Sequence, residues 1–181
     1  MIAGGIDPGK KGALVVLGPD HAVLAWWAAD HPEHGYVRGK TYLPATMRAS
    51  LAGVGDLDGP HLVGLEVQQA YPHEGRSSCF TTGFGYGLWE GLVCGVGLPY
   101  ATPRPRAWQV AVLGPSRLVG DERKARAVKY CQARIPDLPL TWGRRRKPHD
   151  GLADAGCIAA WALQEMCKAR PPAASQPKGA Q

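Results

Sequence analysis

The stretch His61-Leu62-Val63-Gly64-Leu65 constrains the fold more than any other part of this 181-residue chain. An apolar run without alternation reads as a strand buried on both faces, and such a strand needs helices above and below it and a parallel neighbour. Helical patterns follow where that requires them, over residues 79–97, 105–113, 121–134 and 150–169, with a short strand at 99–102. Before the buried run lie three apolar segments, at 2–7, 13–17 and 22–28. They are separated by tight-turn sequences, Asp7-Pro8-Gly9 through Gly12 and Gly18-Pro19-Asp20, and so read as an antiparallel meander. A polar stretch with a helix near 46–53 joins the two halves.

Composition narrows the class. The length suits one domain with one sizeable core, expected over residues 1–170, and the Pro/Ala/Ser/Gln/Lys run at 171–181 reads as a disordered tail. No apolar run reaches the length of a membrane span, and the amino terminus lacks the layout of a signal peptide. The five cysteines (Cys79, Cys94, Cys131, Cys157, Cys167) form no Cys-x-x-Cys pair and read as small buried hydrophobes in a reducing, cytoplasmic setting. The formal charge of +6 is unevenly placed: residues 1–90 carry 6 basic and 9 acidic side chains, residues 91–181 carry 15 and 6. A basic second half fits either an anionic partner such as nucleic acid or a merely solvated surface.

Within the helix at 79–97, Gly83, Gly87, Gly91 and Gly95 recur every fourth residue and share a face. Each glycine costs a helix about 1 kcal/mol relative to alanine, so the row implies close approach of another backbone. Either the protein's own sheet or a second helix across a homodimer two-fold fits.

Four carboxylates stand where charge economy would not put them: Asp7 ending the first strand, Glu66 ending the buried one, and Asp150 and Asp154 in the last helix. A spacing of four puts the two helical aspartates on one face, with Cβ atoms roughly 5–6 Å apart. Asp7 and Glu66 become neighbours if their strands pair. Four converging carboxylates repel one another unless a cation neutralises them, and hard oxygen donors without thiolate select Mg2+ or Mn2+ over zinc. Two such ions about 3.5–4 Å apart would activate a water and stabilise the leaving 3′ oxygen of a phosphodiester. Taken singly, Asp7 also fits a turn, Asp150 a helix N-cap and Glu66 a solvated strand end; Asp154, among Ala153, Ala155, Cys157 and Ile158, has no such simple alternative.

Ile6-Asp7-Pro8-Gly9 with Gly12, Leu65-Glu66, and His149-Asp150-Gly151-Leu152-Ala153-Asp154-Ala155 resemble the three acidic motifs of RuvC-type Holliday junction resolvases, in the RNase H-like superfamily. The likeness extends to about residue 170, and the spacing is closest to the short phage-encoded RuvC-like endonucleases. The resemblance implies an RNase H-like fold: a five-stranded mixed sheet, the first three strands antiparallel and the first, fourth and fifth parallel, flanked by helices. It also implies a homodimeric endonuclease that uses Mg2+ or Mn2+, two ions per site. The substrate would be four-way DNA junctions, nicked symmetrically in recombination and repair in a bacterial or phage-infected cytoplasm, with no membrane partner and no small-molecule cofactor. Asp7, Glu66 and Asp154 match the family's metal-binding carboxylates. Where many relatives carry an Asp or His three residues before the last Asp, this chain has Gly151; Asp150 is the expected fourth ligand, with His149 as a second candidate.

For DNA, the resemblance points to Lys124, with Arg123 beside it, and to Arg104 and Arg106 near a displaced basic position held by Gln109. The run Arg144-Arg145-Arg146-Lys147 precedes the acidic helix and is expected to anchor phosphates. Tyr71 and Arg76 lie between Glu66 and the glycine-rich helix, where the family carries a side chain that opens the junction. Two other readings stay open, a nuclease of the same fold acting on RNA or other branched DNA, and a non-catalytic junction-binding protein.

Overall fold

The structure, a computed structural model, describes residues 1–59, 61–69, 74–115 and 120–169; Tyr71 and the expected tail at 171–181 lie outside the described residues. The strands are β1 (Ile2–Asp7), β2 (Ala13–Leu17), β3 (Val23–Ala28), β4 (Val37–Arg38), β5 (Thr41–Tyr42), β6 (His61–Leu65) and β7 (Tyr100–Ala101). The helices are α1 (Pro44–Gly55), α2 (Arg76–Gly95), α3 (Pro105–Leu113), α4 (Gly120–Arg134) and α5 (Asp150–Ala169). Five strands form one sheet in the order β3-β2-β1-β6-β7. The β1–β2 and β2–β3 pairs are antiparallel, and the β1–β6 and β6–β7 pairs are parallel. The hairpin β4–β5 stands apart, and sequence patterning missed it because two-residue strands carry no period.

The sheet is covered on both faces. Ala13, Val15 and Leu17 of β2 join a core with α3, α4 and α5, while Leu14 and Val16 join a second core with Met47, Leu51, Tyr36, Trp89 and Val93. Two-sided cover is why β2 and β6 read as continuous apolar runs. Among the described residues no helix is long and apolar enough to cross a membrane. All five cysteines are free; Cys131 and Cys157 are buried as expected, but Cys94 and Cys167 are exposed because they fall on the outer faces of α2 and α5.

Helix α5 lies almost directly on β1. A Cβ at Gly5 would fall inside the backbone of Ala155 and Ala159 and 2.9 Å from the Ala159 Cα. Main chain meets main chain there, with nothing flexible to yield. Gly5→Ala is expected to destabilise the protein by about 3 kcal/mol, at the upper end for overpacking, as read by urea denaturation.

The glycine stripe of α2 is not packed on the sheet. Among the described residues a Cβ at Gly83, Gly87, Gly91 or Gly95 would meet nothing within 4 Å, so the expected cover by the protein's own sheet does not apply to those four. Gly85, off the stripe, is the close contact: a Cβ there would reach the ring of Tyr42, 2.8 Å from Cζ.

Candidate active site

Parallel pairing of β1 and β6 sets Ile6 opposite Leu65, so Asp7 and Glu66 emerge side by side at the same end of the sheet. The Glu66 amide continues the ladder, donating to the Ile6 carbonyl at 3.1 Å. Beyond Asp7 the chain turns tightly: the Gly9 amide donates to Asp7 Oδ1 at 3.2 Å, the Gly12 amide to the Gly9 carbonyl at 2.9 Å, and the Tyr42 hydroxyl to the Pro8 carbonyl at 3.2 Å. These contacts aim the Asp7 carboxylate toward α5.

Asp154, one turn into α5, faces the same space. Asp7, Glu66 and Asp154 line one pocket of about 290 Å³ together with Gln68, Gln69, Glu74, Thr82, Pro105 and Arg123. Burial is the leading influence on all three carboxylates. It raises the Asp7 pKa against the opposing pull of the Gly9 amide and Arg123. Burial and the Asp7 charge push Glu66 and Asp154 each up to about 7. Among the described residues Asp154 Oδ1 is buried with no hydrogen-bond partner, while Oδ2 lies 3.8 Å from Arg123 Nη2.

Glu66 is better held. The buried Trp108 indole donates to Oε1 at 2.8 Å and the Gln68 amide to Oε2 at 3.1 Å. Trp108 reaches Glu66 only because the fold brings α3 beneath it, whereas Gln68 lies two residues along the same chain segment. Trp108→Phe leaves the ring and removes the donor. It is expected to cost about 2 kcal/mol in chemical denaturation and to move the Glu66 titration further up, as followed by carboxyl 13C resonances.

Asp150 is on the rim, not in the pocket. Its carboxylate is paired with Lys124 at 2.9 Å, and its side chain is 50 % exposed against 13 % for Asp154. Gly151 explains why no carboxylate stands three residues before Asp154. A Cβ at 151 would overlap the Lys11 carbonyl and approach Asp7 Oδ2 to 3.0 Å, because α5 starts against the β1–β2 turn.

His149 is committed elsewhere. Its Nδ1 accepts from the Leu152 amide at 2.9 Å, capping α5, and Nε2 lies 3.2 Å from Asp30 Oδ1. With both ring nitrogens engaged and 3 % exposure, it is not the spare ligand that its position beside Asp150 suggested. Arg145 is committed too. It pairs with Asp30 at 2.6 Å and lies over the Trp142 ring, so it fastens the basic loop to the second residue past the end of β3. Arg144, Arg146 and Lys147 of that loop are exposed, as are Arg104 and Arg106, which flank the pocket residue Pro105. Arg76, the first residue of α2, is exposed; Arg123 lines the acidic pocket, not the outer face of α4.

The donor set fits a hard divalent cation in its chemistry. Four carboxylates, those of Asp7, Glu66, Glu74 and Asp154, line one pocket; Asp154 Oδ1 is buried there without a hydrogen-bond partner, and no thiolate or imidazole lines it among the described residues. Among the described residues, no three acidic, His or Cys side chains are already gathered closely enough to enclose an ion.

The chain shares its fold with RuvC of Thermus thermophilus. One solved RuvC, in complex with a Holliday junction substrate, superposes with a TM-score of 0.61 at 16 % identity, covering 93 % of this chain and 96 % of that one. A second T. thermophilus RuvC structure also gives 0.61, at 19 % identity, covering 94 % and 99 %. In sequence, the chain is 32 % identical over 126 residues to the chloroplastic Holliday junction resolvase MOC1 of Chlamydomonas reinhardtii. That match takes in 68 % of this chain but spans only 14 % of the relative. No protein-family model matches the chain.

Proposed function

We propose that this protein is a metal-dependent endonuclease that resolves four-way DNA junctions by symmetric hydrolysis, in recombination and repair. The observation that carries the reading is the convergence of Asp7, Glu66 and Asp154, from three separate elements, on one pocket of the RuvC fold. The relative MOC1, which its name gives as a Holliday junction resolvase, supports the choice of substrate.

Asp7, Glu66 and Asp154 would hold a pair of Mg2+ or Mn2+ ions, with Asp150 joining them once released from Lys124. Those ions, when bound, polarise the scissile phosphodiester and the attacking water. The chain's own groups do the rest. Trp108 and Gln68 hold Glu66 in one rotamer, and the Gly9 amide fixes Asp7. Lys124, freed from Asp150, meets a phosphate. Arg104, Arg106, Arg144, Arg146 and Lys147 are exposed cations for the backbone of the arms, and Arg76 adds another at the start of α2. Contacts of this kind position DNA without reading its sequence.

Symmetric cutting needs two sites, and α2 offers the surface for a homodimer. Phe80 and Phe84 are 75 % and 52 % exposed, and on a helix they share the face of the uncovered Gly83, Gly87 and Gly91. Exposed aromatic side chains beside an uncovered helix face support that reading.

The test is purified protein with a labelled immobile four-way junction and Mg2+ or Mn2+. Paired nicks at symmetric positions are expected. Binding without nicks would leave a junction-binding protein, and cleavage of RNA alone would overturn the reading.

A further inference from the structure

Helix α4 presents two consecutive cations to two carboxylates one turn apart on α5: Lys124 to Asp150 and Arg123 to Asp154. The two pairs differ in quality. Lys124 and Asp150 make a short contact at 2.9 Å on the rim, whereas Arg123 and Asp154 stand 3.8 Å apart, too far for a hydrogen bond. Both partners of the inner pair carry unmet capacity, since Arg123 Nε and Asp154 Oδ1 are each buried without a partner among the described residues. Buried polar groups are ordinarily satisfied, so this pair is a compromise in which charge is balanced and hydrogen bonding is not.

We propose that the Arg123 guanidinium is a built-in counter-ion of the acidic pocket, which occupies the place of the divalent cations in the metal-free protein and must swing out for them to enter. The inference rests on the metal-dependent reading above. Arg123 lines the same pocket as Asp7, Glu66 and Asp154, and its charge reaches all three. One positive charge cannot neutralise three buried carboxylates, but it makes the empty pocket tolerable. A divalent ion does better, and like charges cannot share the space. The side chain is 30 % exposed, which leaves it a route outward. Arg123 is thus a positioning residue that sets how readily the site loads.

The sign of the effect separates this role from others. A residue that only contacts DNA leaves metal affinity unchanged when replaced, and one that organises the ligands weakens it. A competing counter-ion strengthens it. Calorimetric titration of the full chain with MnCl2, without DNA, is expected to show Arg123→Gln binding Mn2+ at least about 5-fold more tightly than wild type, with Arg123→Lys in between. The metal-free melting temperature of Arg123→Gln should fall, and Mn2+ should restore it. Arg48→Gln, on the outside of α1, controls for the loss of one positive charge and should bind as wild type does. Independently of any variant, the Arg123 Nε–Hε resonance of the wild-type protein should shift on adding Mg2+. Wild-type or weaker Mn2+ affinity in Arg123→Gln, or an Arg123 resonance that ignores saturating Mg2+, would overturn the proposal while leaving the metal site standing. If wild type binds no Mn2+ and Asp154→Asn changes nothing, the metal-dependent reading falls as well.

Discussion

Asp7→Asn is expected to reduce junction cutting by at least about 1,000-fold, roughly 4 kcal/mol of barrier, with junction affinity retained or raised. Asp7 is the carboxylate whose charge acts on both of the others, Glu66 and Asp154. It ends β1, and its Oδ1 is fixed by the Gly9 amide. Asparagine keeps the shape and the turn, so folding is preserved. What is lost is an anionic ligand, together with one negative charge that repels phosphate. Single-turnover cleavage and gel-shift affinity on the same preparation separate these effects. If affinity collapsed while cleavage per bound complex stayed constant, Asp7 would be a folding or contact residue and the site assignment would fail.

The second large effect concerns the metal-free protein. Glu66 and Asp154 both titrate near 7 in the fold, well above the ordinary carboxylate range they return to on unfolding. The native state therefore binds protons more tightly than the unfolded state, so the stability these groups contribute is present at low pH and is lost as pH rises through about 7. In EDTA, the carboxylates should make the protein roughly 3 kcal/mol more stable at pH 5.5 than at pH 8, about 6–12 °C in Tm for a chain of this size. His34 and His149, whose pKa values burial lowers, act in the opposite direction, so the comparison must be made against Asp154→Asn. At pH 8 without metal that variant should melt several degrees above wild type, and its pH dependence should be shallower. Adding Mn2+ should raise the wild-type Tm and leave the variant nearly unchanged. A marked drop in the metal-free Tm of Asp154→Asn would mean that its carboxylate is a net stabiliser and that the pocket is not under repulsive load.

Much of this arrangement was legible in the sequence because it depends on local signals. Unbroken apolar runs marked β2 and β6, turn residues marked the meander, and an aspartate inside the small, apolar face of α5 had no ordinary explanation. The remainder depends on contacts between distant segments. Asp30 reads as an ordinary loop acid until the fold sets it against Arg145 and His149, 115 and 119 residues away. Trp108 reads as core until it is found donating to Glu66, and Gly151 reads as a missing ligand until the Lys11 carbonyl is found where a side chain would be. The expected fourth carboxylate is the sharpest instance. Spacing put Asp150 and Asp154 on one side of α5, but the start of a helix opens to solvent, and there Lys124 engages Asp150.

The seam between β1 and α5 has a consequence for how such a site can change. Where two main chains touch at Gly5, the gap between the strand that carries Asp7 and the helix that carries Asp154 is set by covalent geometry, and no side chain can shrink or swell to adjust it. The pocket is gauged by its scaffold. Substitutions elsewhere, in the basic loop or along α2, can then change the outer surface, while the spacing between the strand and the helix stays out of their reach.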